Sequence, residues 1–219
     1  MPASPLAAIF DLDGVLTSTS ARHQQSWSDA AERFGFAVTK ASLSRTRSVP
    51  REASLQALLE DSGVTMDASA RNAVMSFKDR RYKELIAGLG PQDAFPGARE
   101  ALEVCRGMGL SIAVASASLN ADVVLARLGL TGLVDLIADP RRAASKPDPQ
   151  IYAQCCEALN VSREAVVCIE DSRQIITNLR LAGFYTVGIS HDPLDADEQF
   201  GSLADWDVSH TVDRLKARL

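Results

Sequence analysis

Three features of this chain predict an α/β fold with a parallel, doubly wound sheet. The run Leu6-Ala7-Ala8-Ile9-Phe10 is apolar without alternation, as a strand buried on both faces must be. From Phe95-Pro96-Gly97 onward, helical and strand-like segments alternate, which implies parallel βαβ units. Between these regions, from Ser20 to Leu89, apolar residues recur at helical spacing and no convincing strand is present. The three together give a Rossmann-like core, residues 1–17 and 92–219, with a helical cap domain, residues 18–91, inserted after strand one.

The insert reads as three helical regions. Ser20–Phe34 carries Trp27, Ala30, Ala31 and Phe34; Arg51–Leu59 carries Ala53, Leu55, Leu58 and Leu59; Ala68–Leu89 carries Val74, Phe77, Leu85 and Ile86. In the core, helix Ala98–Met108 ends near Gly109 and strand Leu110–Ala115 follows. Asn120 opens a helix that ends at Gly129, Leu133–Ala138 is a strand, and Pro149 starts a helix running to Leu159, where a first-turn proline loses no hydrogen bond. Ala165–Ile169 and Thr186–Ile189 are further strands around helix Arg173–Ala182, and Val208–Val212 is assigned as a last strand.

Composition bounds the function. The chain has 219 residues, 46% of them hydrophobic and 23% charged, as in ordinary globular proteins. A net charge of −5 argues against a nucleic-acid backbone as partner, though an acidic protein still binds a phosphorylated metabolite through local cations or a metal. No segment is apolar enough to span a bilayer, and the N-terminal run lacks the basic residues of a signal peptide. Cys105, Cys155, Cys156 and Cys168 form no CxxC pair and read as structural thiols of a reducing, cytoplasmic compartment. Nothing in the charge pattern demands an oligomer, so a monomer is expected.

Chemistry concentrates at predicted strand ends, where open α/β sheets bind ligands. Asp11-Leu12-Asp13-Gly14 follows strand one, and carboxylates two apart on extended chain point the same way. Ser116-Ala117-Ser118 with Asn120 combines hydroxyls and backbone N–H groups before a helix, a pattern that serves either as an anion site or as a plain N-cap. Lys146-Pro147 follows the next strand, a setting in which a lysine is ordinarily solvated. Glu170-Asp171-Ser172 closes strand Ala165–Ile169; two acids there complete a hard-cation site with Asp11, or supply acidic residues to a helix N-terminus.

DxDGV, Ser-x-Ser, Lys-Pro and Glu-Asp-Ser, in that order and each at a strand end, resemble the haloacid dehalogenase superfamily. Within it, FDLDGVLTSTSARH (Phe10–His23), VPREASLQALL (Val49–Leu59), Phe95-Pro96-Gly97, ASASLN (Ala115–Asn120), IADP (Ile137–Pro140), ASKPDP (Ala144–Pro149) and IEDS (Ile169–Ser172) resemble the β-phosphoglucomutase family. Only the region after about His191 is thin in this likeness.

The resemblance implies roles. Asp11 is the expected nucleophile, forming an aspartyl-phosphate, and Asp13 the general acid and base. Mg2+ is the expected cofactor, held by Asp11, the backbone carbonyl of Asp13 and Asp171, with Glu170 nearby. Lys146 and Ser116 would contact the transferring phosphoryl group, with Ala117, Ser118 and Asn120 beside it. Thr19 and His23 would position Asp13, Arg51 would grip a second phosphate, and Lys78 would contact the substrate, a phosphorylated hexose. For His23 an exposed helix position is the competing reading, and for Lys78 a solvated helix face. The stretch after Thr17 and the segment Leu89–Ala94 are hinge candidates whose closure would exclude water.

Three positions depart from the family pattern: Leu119 replaces a lysine beside the Ser-x-Ser loop, Ser48 a glycine before Val49, and Ile175 a glycine common in relatives. The first two put the exact substrate in question. The resemblance therefore supports a mutase first and a sugar-phosphate phosphatase second. A non-catalytic sugar-phosphate binder is opposed by intact Asp11, Asp13, Lys146 and Asp171, and a halide-releasing enzyme would leave Asp13 and the metal-type acids without a task.

Overall fold

The computed structural model describes residues 6–47 and 49–219. Its strands are β1 Ala7–Phe10, β2 Ser111–Val114, β3 Leu136–Ile137, β4 Val166–Glu170, β5 Tyr185–Ile189 and β6 Glu198–Phe200. Its helices are α1 Ser20–Phe34, α2 Lys40–Ser44, α3 Arg51–Ser62, α4 Ala68–Ile86, α5 Ala98–Gly107, α6 Ala121–Arg127, α7 Gln150–Leu159, α8 Arg173–Leu181 and α9 Val208–Lys216. The chain divides into two compact units, Met1–Ser18 with Gly90–Leu219, and Thr19–Leu89.

The first unit is a six-stranded sheet in the order β3-β2-β1-β4-β5-β6, parallel throughout. Side-chain alternation along β1 divides the core into two layers. Ala7 and Ile9 pack with Tyr152 and Cys155 of α7 and Ile175 and Leu179 of α8. Phe10 points to the opposite face and meets Trp206 edge-on at 6.0 Å. On that side α5 buries Ala98, Ala101, Leu102 and Cys105 and contacts α9. Gly97 takes φ +81° and a Cβ there would collide with the Ala204 backbone, which accounts for the glycine of Phe95-Pro96-Gly97. Ile175, a departure from the family pattern, is simply packed into the α8 core face.

The second unit is helical, with Trp27, Ala30, Leu55, Leu58 and Val74 forming its own apolar cluster. Its short helix α2 escaped the sequence reading because it lacks an apolar stripe; a Thr39–Ser42 capping box starts it. Ser48 lies outside the described residues.

One assignment at the C-terminal end is corrected, and one strand was not anticipated. Val208–Val212 is not a strand but the start of α9. Asp207 caps it by accepting from the His210 N–H, and Val208, Thr211, Val212 and Leu215 are buried at helical spacing. The last strand is instead Glu198–Phe200, short and polar, which no apolar pattern announces. The Asp197 carboxylate locks it to β5 by accepting from Thr186 N and Oγ1 at 2.9 and 2.8 Å. The segment 133–138 is also less regular than expected: a 3-10 turn occupies Thr131–Leu133 and only Leu136–Ile137 pair.

All four cysteines are free and buried. Burial pushes the Cys105 and Cys155 thiols up to about 12 and Cys156 to about 11, so they remain protonated packing groups. No helix of the described residues is long and apolar enough to cross a membrane. Leu179 of α8 is fully buried against the sheet. Leu179→Ala is expected to cost about 2–5 kcal/mol in urea unfolding; a loss below about 1 kcal/mol would show that this layer is not close-packed.

Candidate active site

The strand order reverses at β1, whose neighbours β2 and β4 lead away in opposite directions, and the crevice at such a reversal is where ligands bind. The register sets three strand ends level there: Phe10 pairs with Val114 on one side and Ile169 on the other. The Asp11 N–H donates to Ile169 O and the Ala115 N–H to Phe10 O, both at 2.9 Å. Asp11 and Glu170 therefore emerge level with each other, and Ser116 follows one residue beyond Ala115 on the other flank.

A buried ion cluster lies at these strand ends. Lys146 Nζ donates to Asp11 Oδ1 at 2.6 Å and to Glu170 Oε1 at 2.7 Å. The lysine that sequence context favours as solvated is thus almost wholly buried. Tyr152 donates its hydroxyl to the same Glu170 oxygen at 2.6 Å, while the Asp171 and Ser172 N–H groups donate to Oε2 at 3.0 and 3.2 Å. Burial raises the Asp11 carboxyl most, Lys146 opposes it, and Glu170 and Asp171 add to the rise, which brings it to about 8. Burial alone would lower the Lys146 ammonium, but Asp11 and Glu170 outweigh it and hold it above its ordinary range.

Asp11, Glu170 and Asp171 each bring a carboxylate oxygen within 4.8 Å of the others. Three carboxylates share one ammonium, and the donors are all hard oxygens. This set fits a divalent hard cation such as Mg2+.

The loop after Asp11 is shaped for close approach. Gly14 has φ +113°, and a Cβ there would fall on the Asp171 carboxylate, so only glycine fits. Its N–H donates to Thr17 O at 2.8 Å, and half-buried Asp13 bridges to Thr17. Thr17 donates its hydroxyl to Asp93 O at 2.7 Å, and Phe95 N–H donates to Leu16 O at 2.9 Å. The two hinge candidates are thereby tied side by side within the core unit. On the other flank, Ser116 and Asn120 are buried, Ala117 and Ser118 half-buried, and Leu119 is 46% exposed. Ser116 Oγ accepts from Ser118 N–H at 3.1 Å, and Ser118 Oγ from Asn120 N–H at 3.3 Å.

In the helical unit Thr19, His23 and Lys78 come together around Tyr82. Tyr82 donates its hydroxyl to Thr19 Oγ1 at 2.9 Å, and its ring stacks on His23 at 3.9 Å. Lys78 is buried, not solvated; its Nζ lies 2.8 Å from His23 Nδ1 and over the Tyr82 and Trp27 rings. An ammonium has only donors, so Nδ1 accepts and the ring proton sits on Nε2. Burial, then Lys78 and Arg51, hold His23 well below its ordinary pKa and keep it neutral. Arg51 itself pairs with Asp79 at 2.6 Å.

Sequence reasoning did not single out Tyr152, Tyr82 or Asp79. Both tyrosines read as apolar positions of helices, and only their hydroxyl partners, 18 and 63 residues away in the chain, reveal polar roles.

A raised Asp11 pKa has a definite linkage. Between its ordinary value of 3.8 and about 8, the folded metal-free state binds more protons than the unfolded state, so stability falls as pH rises. With chelator present, the urea midpoint is expected to drop from about pH 5 to about pH 8, and Mg2+ is expected to restore it at the higher pH. A midpoint indifferent to both would refute the electrostatic description of this cluster.

The haloacid dehalogenase-like hydrolase family model matches residues 6–183. The β-phosphoglucomutase of Bacillus subtilis strain 168 is 34% identical over 186 residues, covering 84% of this chain and 82% of that one. A phosphorylated carbohydrates phosphatase of Thermotoga maritima is 30% identical over 192 residues, covering 84% and 85%. The crystal structure of β-phosphoglucomutase from Clostridium difficile superposes with a TM-score of 0.89 at 26% identity, covering 97% of this chain and 98% of that one. The fold, the extent of the match and the acid cluster at the strand reversal agree: the chain belongs to the haloacid dehalogenase-like hydrolase family.

Proposed function

We propose that this enzyme is a Mg2+-dependent mutase that interconverts β-D-glucose 1-phosphate and D-glucose 6-phosphate through β-glucose 1,6-bisphosphate, with Asp11 as phosphoryl carrier. The single observation that carries the phosphoryl chemistry is the buried Asp11–Lys146–Glu170–Asp171 cluster at the strand reversal. The sugar specificity rests on likeness to the Bacillus subtilis mutase and on Thr19, His23, Arg51 and Lys78 in the helical unit, which we assign as the cap.

In this reading an Asp11 carboxylate oxygen attacks phosphorus, and the bond from phosphorus to the departing sugar oxygen breaks. Asp13 supplies the proton that oxygen needs, because an alkoxide leaves poorly. In the second half, the incoming sugar hydroxyl gives its proton to Asp13 and attacks phosphorus, and the bond to Asp11 breaks. Lys146, fixed by Glu170, steadies Asp11 throughout, and Ser116 binds a transferring oxygen. Asp11, Asp171 and the Asp13 carbonyl would hold Mg2+, with Glu170 alongside; when bound, it neutralises charge on the phosphoryl oxygens. Arg51 exchanges Asp79 for the second phosphate of the bisphosphate.

A phosphatase on the same machinery is the second reading, in which water replaces the sugar hydroxyl. Leu119 favours it, since an exposed leucine there offers no charge to a distal phosphate, and the Thermotoga maritima relative is a phosphatase of phosphorylated carbohydrates.

The deciding assay incubates the protein with Mg2+, β-glucose 1-phosphate and a trace of the 1,6-bisphosphate, following glucose 6-phosphate and free phosphate in parallel. Rapid glucose 6-phosphate with little free phosphate is expected, no turnover of the α-anomer, and loss of both products in Asp11→Asn. Free phosphate without isomerisation would replace the mutase by the phosphatase. Leu119→Lys would then be expected to shift the product ratio toward glucose 6-phosphate.

A further inference from the structure

Tyr152 is fully buried on α7, yet it carries a hydroxyl. Packing does not call for one. The ring meets Phe184 edge-on at 6.4 Å and lies 5.0 Å from Lys146 Nζ, and a phenylalanine would make both contacts equally well. A buried hydroxyl is costly unless it is hydrogen-bonded, and this one is spent on Glu170 Oε1 at 2.6 Å.

That bond completes the coordination of the Glu170 carboxylate. Oε1 accepts from Tyr152 and from Lys146, and Oε2 accepts from the N–H groups of Asp171 and Ser172. An ionised carboxylate has about four lone-pair sites, and all four are taken by protein donors. Ligating a cation would cost Glu170 one of these bonds and strand a buried donor. Asp171 is half-buried where Glu170 is fully buried, so it is the more accessible of the two acids.

We propose that Tyr152 is a positioning residue: with Lys146 it saturates Glu170 Oε1, so that Glu170 holds the Lys146 ammonium on Asp11 and leaves the divalent cation to Asp11 and Asp171. The proposal rests on Asp11 as phosphoryl carrier but not on the choice between mutase and phosphatase.

The test is Tyr152→Phe in the full chain, with folding checked by its thermal unfolding midpoint. Mn2+ binding is measured by electron paramagnetic resonance without substrate. Turnover is followed with β-glucose 1-phosphate and, separately, as phosphate release from p-nitrophenyl phosphate. The expected result is Mn2+ affinity within about two-fold of wild type or tighter, kcat lower by about ten-fold, and KM little changed. Weaker Mn2+ binding would mean that Tyr152 orients Glu170 as a direct ligand, and unchanged kcat would mean that the hydroxyl only packs; either overturns the proposal. Failure of wild type to form glucose 6-phosphate would count against the mutase alone, because the Mn2+ arm involves no substrate. Should the variant not fold, wild type labelled with 13C at tyrosine Cζ decides: Tyr82, Tyr152 and Tyr185 are its three tyrosines and are assigned by single Phe variants at 82 and 185. A Tyr152 resonance that stays in place on Mg2+ addition supports the proposal, and one that shifts as its hydrogen bond breaks overturns it.

Discussion

The Lys146 ammonium, buried between Asp11 and Glu170, is the interaction on which the rest of the core site depends. A buried ion pair is expensive to desolvate and stays in place only when its remaining hydrogen-bonding capacity is satisfied. Here the sheet satisfies it. The level ends of β1 and β4 put Asp11 and Glu170 side by side, and the two backbone N–H groups after β4 close off the second Glu170 oxygen. Tyr152 completes the first oxygen from α7. Asp171 lies within reach of Asp11 and Glu170, and Gly14 packs against its carboxylate with room for nothing larger than a hydrogen. Attraction for a divalent cation thus follows from how the core is packed, before any substrate is considered.

The helical unit organises its polar residues by a different rule. There a single cation, Lys78, is held by aromatic faces and by a neutral imidazole. Burial, with the charges of Lys78 and Arg51, keeps His23 unprotonated, and the stack on Tyr82 fixes the ring plane. A neutral histidine with a defined tautomer is a directional donor through Nε2, which suits a positioning role better than an exposed, titrating histidine would. Arg51, paired with the acid that adjoins Lys78 on α4, keeps its guanidinium oriented without burying it.

Much of this was legible in the sequence because the informative residues lie at strand ends, where an apolar run stops abruptly. The first strand could be read from an unbroken apolar run, the helical insert and the order of elements after Phe95 from period, and α1 was placed at its observed bounds. Reading failed where period carries no signal. The strand Glu198–Phe200 is short, polar and held by Asp197 side-chain bonds, while Val208–Val212 is rich in β-branched residues yet helical because Asp207 caps it. In the site, charged motif residues were visible, but their state was not. Lys146 and Lys78 look solvated in sequence and are buried in structure, since only tertiary partners separated by many residues can neutralise or shelter them. Tyr152 and Tyr82 were hidden for the converse reason: as aromatic positions on helices they match the core pattern, and their hydroxyls matter only once the fold supplies acceptors.

The central claim is that Asp11 carries the phosphoryl group, and the direct measurement is chemical trapping. The protein is mixed with Mg2+ and β-glucose 1,6-bisphosphate, quenched, reduced with borohydride and digested, and its peptides are read by mass spectrometry. An aspartyl-phosphate reduces to homoserine, so the account requires that conversion at Asp11, in an amount that rises and falls with turnover. Turnover with Asp11 left unreduced, or with the label on another carboxylate, would contradict it.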